Sequence, residues 1–470
     1  MLEIHNTLSG KKEEFKPLEE NKIKFYVCGP TVYDYFHIGN ARSFIMSDII
    51  RKYLELKGYE VTFVMNLTDV DDKIIKKSIQ EKVTSKAVAE KYVDAFLEDI
   101  EKLKVKRASF YPKATEHIYE IINLIKKLEA KGIAYNIDGN VFYDVSKFEN
   151  YGALSKKRTE DLESGARIEI NEEKKNALDF SLWKKAKEGE PFWESPWGNG
   201  RPGWHIECSA MSCSHLGETF DIHAGGNDLI FPHHENEIAQ SEGASGKKFV
   251  NYWIHFGFLN INNEKMSKSL GNFFTARDIL KIYSAETIRF FFAQTHFAGP
   301  LNFSEDLLQA AAKGLEKIQN LYDRVLSELN SEKNEANDVE FDFQKYFDLF
   351  SQAMDDNFNT PQAAAVIFDF VKEVNRVISQ NENISGKFYG QVKLFLDKTA
   401  EGVLGIINTK ASTTTRNLEN ELIELLLNVR LEAKQQKNYA LSDKIRDDLK
   451  ALGVILQDGK EKTTFKIVRE

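Results

Sequence analysis

Lys24-Phe25-Tyr26-Val27-Cys28, followed by Gly29-Pro30, reads as a short strand of β-formers broken by a turn pair. From about Ala41 the pattern changes: Ile45, Ile49, Tyr53 and Leu56 recur at helical spacing until Gly58 stops the run. Val61-Thr62-Phe63-Val64-Met65 is the next strand. Strand, loop, helix and strand make a βαβ unit, and ligands of such sheets bind where loops leave the carboxyl ends of the strands. Cys28, His37 and Thr68 all lie on such loops.

Between about 111 and 199 charged helical patterns, a Gly139-Asn140 turn before Val141-Phe142-Tyr143 and a charge run over 155–175 read as an insertion, the charge run as a solvated loop. A second half of the sheet resumes near 200, with Phe220-Asp221-Ile222-His223 as a strand, Ala224–Asp228 as its loop and a helix after Pro232. Beyond 300 the pattern is helical. Ser304 is placed as an N-cap before Glu305 and Asp306, and Leu308, Leu315, Ile318, Tyr322 and Val325 form an apolar stripe. Thr360-Pro361 is a second helix start, with Thr360 as the cap. Two amphipathic helices over 418–451 and a strand over 463–468 close the chain.

With 470 residues the chain exceeds one core and divides into several units. Met1-Leu2-Glu3-Ile4-His5 lacks the basic start and apolar run of a secretory signal, and no apolar stretch reaches the roughly 20 residues that span a bilayer. Three cysteines are too few for a disulfide framework, so a cytoplasmic, reducing compartment and no membrane are expected. A net charge of −9 speaks against a polyanionic partner, but it is uneven. Residues 411–470 carry +1 and residues 1–410 carry −10. Composition alone therefore describes an acidic enzyme with no nucleic-acid partner.

Two short motifs change that reading. His37-Ile38-Gly39-Asn40 sets two polar side chains around a glycine just before a helix N-terminus, a place that favours anions. Lys265-Met266-Ser267-Lys268-Ser269, followed by Leu270-Gly271-Asn272, reads as a cationic loop suited to a triphosphate. Either motif alone fits a surface cap or a solvated basic turn. Together they resemble the two nucleotide-binding signatures of class I aminoacyl-tRNA synthetases. The strings FYVCGPTVY (25–33), NLTDVDDK (66–73), SPWGNGRPGWHIECSA (195–210) and FPHHENEIAQ (231–240) resemble the cysteine-specific branch, and the likeness runs through the whole chain. One departure is Asn40, which stands where the signature has a second histidine; an amide can polarise a phosphate but cannot carry charge.

The resemblance implies an α/β fold: a split Rossmann-type parallel-sheet catalytic domain in two halves (1–110 and 200–250) around a connective insertion (111–199). It also implies a lysine-loop and stem-contact region (251–300), a helical bundle (301–410) and a small C-terminal anticodon-binding α/β module (411–470). Cys28, Cys208, His233 and Glu237 offer two sulfurs, an imidazole and a carboxylate, a set that suits Zn²⁺, and His233 and Glu237 lie four apart on one helical face. Spacing does not assemble them, because Cys28 and Cys208 are 180 positions apart; buried structural cysteines remain the alternative, and His234 a rival to His233. The resemblance implies one zinc at these positions, binding the substrate thiolate.

By the same likeness Thr68, Trp204 and His223 line a cysteine pocket, while Gly225 and Asp228 face the ATP ribose. His37, Gly39 and Asn40 hold phosphate, Lys265 and Lys268 grip the leaving pyrophosphate, and Mg²⁺ accompanies ATP. The implied reaction is ATP-dependent activation of L-cysteine and its transfer to tRNA-Cys by a monomeric ligase of protein biosynthesis. Arg430, Lys434, Lys437, Tyr439, Asp443 and Arg446 mix cations with an aromatic and are the expected anticodon readers, against the plainer reading of a solvated helix pair. Two rivals share part of the pattern: a ligase joining activated cysteine to an amino sugar, which lacks a C-terminal module, and a silent paralogue serving as a scaffold.

Overall fold

Phe25, Tyr26 and Val27 are fully buried in β1 (Lys22–Val27), as a strand covered on both faces of a parallel sheet requires. The computed structural model describes residues 1–157, 174–261, 264–265, 274–330, 337–409, 418–458 and 463–467. After β1 comes α1 (Ile38–Leu56), then β2 (Glu60–Met65), parallel to β1 with Phe25 opposite Phe63. The helix starts three residues earlier than its apolar stripe suggests, because Ile38-Gly39-Asn40 forms its first turn and His37 caps it. Leu56, expected on the buried face, is 38% exposed.

The chain then leaves the sheet. A four-stranded antiparallel sheet (Ala134–Ile137, Asn140–Tyr143, Phe180–Lys185, Gly200–Pro202) has its own core around Trp183 and Tyr143, and its last strand runs past 199, where the insertion was expected to end. Asp138 and Gly139 turn its first hairpin with positive φ. The main fold resumes with α2 (Trp204–Leu216), β3 (Phe220–Gly226), α3 (Glu235–Ser245) and β4 (Val250–Phe256). Strand order is β4-β3-β1-β2, all parallel. β3 is longer than expected, so Ala224, Gly225 and Gly226 belong to the strand and not to its loop.

A second small sheet follows: β5 (Leu259–Ile261) pairs antiparallel with β6 (Glu264–Lys265) and parallel with β7 (Leu301–Phe303). Between β6 and β7 lies α4 (Ala285–Ala293). Its Arg289 donates to Asp48 of α1 at 2.7 Å and to the Leu404 carbonyl at 2.7 Å, both partners buried. Burial works against the Asp48 carboxylate, but Arg289 and Lys52 outweigh it and hold it below the usual range. Removing one side of such a pair costs about 3–5 kcal/mol, so this link fixes α1 against the helices that follow.

Those helices are α5 (Glu305–Leu329), α6 (Phe343–Asp355), α7 (Thr360–Gln380) and α8 (Gly386–Leu396). Leu308, Leu315, Ile318, Tyr322 and Val325 face the core as the stripe predicts. Ser304 occupies the cap position of α5 without a capping side-chain bond, and α7 is capped by Asn359, not Thr360, through the Gln362 amide. The chain divides into two compact units, residues 1–407 and 408–470. In the second, α9 (Leu418–Gln435) and α10 (Tyr439–Ala451) pack around Ile423, Ile445, Leu449 and Val454. β8 (Val454–Asp458) pairs antiparallel with β9 (Thr463–Ile467). No helix among the described residues is long and apolar enough to cross a membrane.

Candidate active site and metal centre

β1 and β3 are neighbours, yet the chain runs from β1 to β2 on the far side, ending at Met65, and reaches β3 only at Phe220. Their carboxyl ends form a topological switch point, where such sheets bind ligands. Cys28 ends β1, and its amide donates to Ala224 of β3 at 3.2 Å. Gly29 must be glycine: an added Cβ would lie 1.8 Å from the Asn66 carbonyl oxygen. That close approach lets Asn66 accept from the Gly29 amide at 2.9 Å and donate to the buried Thr68 hydroxyl at 3.3 Å. Thr68 is thereby held at the same strand ends as Cys28.

α2 carries Cys208 to this point, and the turn before α3 carries His233 and His234. Glu237 completes the group. One donor atom from each of Cys28, Cys208, His233 and Glu237 lies within 4.8 Å of the others, and all four side chains are buried. His233 Nε2 is 3.0 Å from Glu237 Oε1, Cys28 Sγ is 3.7 Å from it, and the two sulfurs are 4.0 Å apart, too far for a disulfide. A second set, Cys28, His223, His234 and Glu237, meets the same limit. His234 Nε2 is 3.4 Å from Cys28 Sγ and 4.0 Å from Glu237 Oε1. Sequence spacing could not separate the two histidines, and both reach the carboxylate.

Electrostatics mark the cluster as a cation site. Burial works against the Glu237 carboxylate, yet His223 and His233 hold it at about 2. Burial likewise opposes a charged His233, but Glu237 and Cys208 outweigh it and raise it to about 10. Donation from the Cys28 thiol, itself pushed up by burial, lowers Cys208 to about 6. Two sulfurs and a carboxylate thus gather positive charge in a dry site, and a divalent metal competes for the positions those protons hold.

Around it stand imidazoles that spacing did not single out. His205 Nδ1 meets His233 Nδ1 at 2.9 Å, and His255 Nε2 meets His234 Nδ1 at 2.8 Å, its own Nδ1 meeting Thr7 Oγ1 at 2.8 Å. Such partners fix ring orientation and tautomer. A signal existed: six of the ten histidines fall between 205 and 255. His223 Nε2 bonds Glu237 Oε2 at 2.9 Å. Trp204, 40% exposed, stacks on His233 with ring centres 4.3 Å apart.

Residues 14–313 match the family model for class I (C) tRNA synthetase catalytic domains, and residues 349–408 match the DALR domain. A Clostridioides difficile cysteine–tRNA ligase is 50% identical over 99% of this chain and 100% of its own length. A Thermococcus gammatolerans cysteine–tRNA ligase is 48% identical over 100% and 99%. The chain belongs to the cysteine–tRNA ligase family. Like the rest of that family it is an enzyme that forms an aminoacyl-tRNA with class I chemistry. A solved Mycobacterium tuberculosis methionyl-tRNA synthetase shares its fold at 15% identity, covering 83% of this chain and 92% of that one with a TM-score of 0.63.

Against the ligase family's catalytic pattern, His37 caps α1 through Nδ1, which accepts from the Asn40 amide at 3.2 Å. A neutral ring then carries its proton on Nε2. Gly39 and Asn40 sit half-buried in the first turn. Residues 36–38 bond antiparallel to 274–276, with Ile38 N to Phe274 O at 3.1 Å and Ala276 N to Phe36 O at 3.0 Å, so the first signature is joined to the segment that follows residue 273. Lys265 lies on β6 opposite Asn260, while Lys268 lies outside the described residues. Gly225 is buried in β3, where an added Cβ would meet His234 at 2.7 Å, and Asp228 is exposed just beyond. In the 408–470 unit Tyr439, Lys437, Asp443 and Arg446 are exposed and Lys434 is half-buried. Arg430, expected among the anticodon readers, is 3% exposed, unlike Lys437, Tyr439, Asp443 and Arg446.

Proposed function

We propose that this ligase selects L-cysteine through a zinc ion held by Cys28, Cys208, His233 and Glu237, activates it with ATP and passes it to the 3′ end of tRNA-Cys. The observation that carries the reading is the convergence of those four buried donors within 4.8 Å. This set is favoured over the one with His234 because it contains both thiols, the softer donors. Bound there, zinc supplies a soft Lewis acid that takes the cysteine thiolate and distinguishes it from the hydroxyl of serine. Shape alone rejects an isostere by about 10²-fold, whereas discrimination of ~10⁴–10⁵ needs about 5.5–7 kcal/mol.

The protein's own groups do the rest. Thr68 and His223 wall the pocket, and Trp204 stands at its exposed side. The N-terminus of α1 favours the triphosphate, with His37 and Asn40 donating to phosphate oxygens and Gly39 letting the backbone approach. The Gly225 backbone at the end of β3 and the exposed Asp228 carboxylate meet the ATP ribose. The cysteine carboxylate attacks the α-phosphate in line; Lys265 and Lys268 neutralise the departing pyrophosphate, with Mg²⁺ on the triphosphate. A ribose hydroxyl at the tRNA 3′ end, the 2′ in class I chemistry, then takes the cysteinyl group from the resulting cysteinyl-adenylate, and AMP leaves. The 408–470 unit, through Lys434, Tyr439 and Asp443, reads the anticodon. Three unpaired cysteines suit work in the reducing cytoplasm, as a monomer.

Cysteine-dependent ATP–pyrophosphate exchange, run beside zinc analysis, tests this reading. Exchange with cysteine but not serine, from protein holding about one zinc per chain, is expected. Exchange from zinc-free protein would sink it. Lys268→Ala is expected to slow adenylate formation by about 10²-fold with cysteine affinity unchanged, because a transition-state contact appears in kcat. A variant with normal kcat and weakened cysteine binding would take Lys268 out of that role.

A further inference from the structure

Arg42, two residues beyond Asn40 in α1, is 1% exposed and belongs to neither candidate metal set. Its guanidinium donates to four backbone carbonyls on two separate segments. Nη1 reaches Gly257 at 2.8 Å and Phe258 at 3.2 Å; Nη2 reaches His296 at 3.2 Å and Gly299 at 2.7 Å. Burial lowers the guanidinium to about 10, so it stays charged at neutral pH, facing these peptide dipoles.

Those two segments are the entrances to β5 and β7. They also touch each other: the Gly257 amide donates to Phe297 at 2.8 Å and the Leu301 amide to Phe258 at 3.0 Å. β5 pairs with both β7 and β6, and β6 carries Lys265. The fork of Arg42 therefore ties the helix whose first turn holds His37 and Asn40 to the sheet that holds Lys265. A planar guanidinium meets two chain segments at once in fixed directions, which no other side chain does.

We infer that Arg42 is a positioning residue for the activation step: it sets the spacing between the α1 N-terminus and the sheet that carries Lys265. The inference rests on the roles given above to His37, Asn40 and Lys265. Its consequence is kinetic. Misplacing groups that act on a transition state by about 1 Å costs on the order of 10²-fold, while substrate binding elsewhere is untouched.

The test uses full-length Arg42→Lys and Arg42→Met, with circular dichroism, zinc content and pyrophosphate exchange at varied cysteine. Both are expected to stay folded and zinc-loaded, with kcat lowered by about 30–100-fold and KM for cysteine within about 2-fold of the parent. Lysine keeps the charge but cannot span both segments, so it should not rescue. A purely structural Arg42 would lower the melting temperature and leave kcat of the folded enzyme alone, and that result overturns the inference. So does a loss that lies wholly in KM for cysteine or in zinc content. Should either variant fail to fold, Gly257→Ala decides, because its added Cβ would lie 2.2 Å from the Gly299 oxygen and part the two segments with Arg42 intact. The same kcat loss is expected there, and a normal kcat overturns the inference. Lys265→Ala separates the two readings: a normal kcat removes the lysine and the Arg42 role with it. A Lys265 loss beside normal Arg42 variants removes the Arg42 role alone.

Discussion

Cys208→Ser and His233→Ala enzymes are expected to be recovered folded but without zinc, with kcat/KM for cysteine in pyrophosphate exchange lowered by about 10⁴-fold. Serine differs from cysteine by one atom, so the Cys208→Ser side chain fills nearly the same buried space in α2, and a packing defect is a poor explanation for any loss. What changes is the donor: a hydroxyl is a weak zinc ligand at neutral pH, whereas Cys208 is already lowered to about 6 among its neighbours. His233→Ala removes a nitrogen and leaves Glu237 with His223 at 2.9 Å and His234 at 4.0 Å. The size of the effect follows from the selectivity the metal must supply, about 5.5–7 kcal/mol between cysteine and serine. Residual activity in the zinc-free variants should therefore discriminate poorly between the two amino acids. Loss of activity with full zinc content would assign the cluster to structure and not to selection.

Deleting residues 408–470 is expected to leave cysteine-dependent exchange near normal and to lower kcat/KM for tRNA charging by about 10³-fold. The groups assigned to activation, from Cys28 to Lys268, precede residue 407, where the first compact unit ends. The second unit exposes Tyr439 at 62% among Lys437, Lys444 and Arg446. Loss of two base-stacking contacts at about 2 kcal/mol each, before any phosphate term, gives that magnitude. A circular dichroism melt of the shortened protein separates a folding failure from a recognition failure. Full charging by a folded truncation would move tRNA choice elsewhere and restore the amino-sugar ligase as a competitor.

The βαβ core was legible in the sequence because its signals are local: β-formers at 24–28, a helical stripe to Tyr53, and a second apolar run at 61–65. What spacing could not reveal depends on strand order. Cys28 and Cys208 meet only because β3 lies beside β1 and α2 runs into the same strand ends. The burial of Arg430 was not legible, because a cation in an amphipathic helix is usually solvated and spacing alone does not show which one is covered. Gly225 was assigned to a loop since glycine usually breaks a strand, but at this position it makes room for His234. Asn359 outcompeted Thr360 as the cap of α7 because its carbonyl reaches the Gln362 amide one turn on. The strand Val454–Asp458 escaped notice because it needs β9 to form.

X-ray absorption at the zinc edge tests zinc-based selection most directly. Zinc in the free enzyme should show two sulfur neighbours at about 2.3 Å. With L-cysteine the count should rise to three, and with L-serine it should remain two. An enzyme that activates cysteine while its zinc keeps two sulfur neighbours, or holds no zinc at all, would contradict the account.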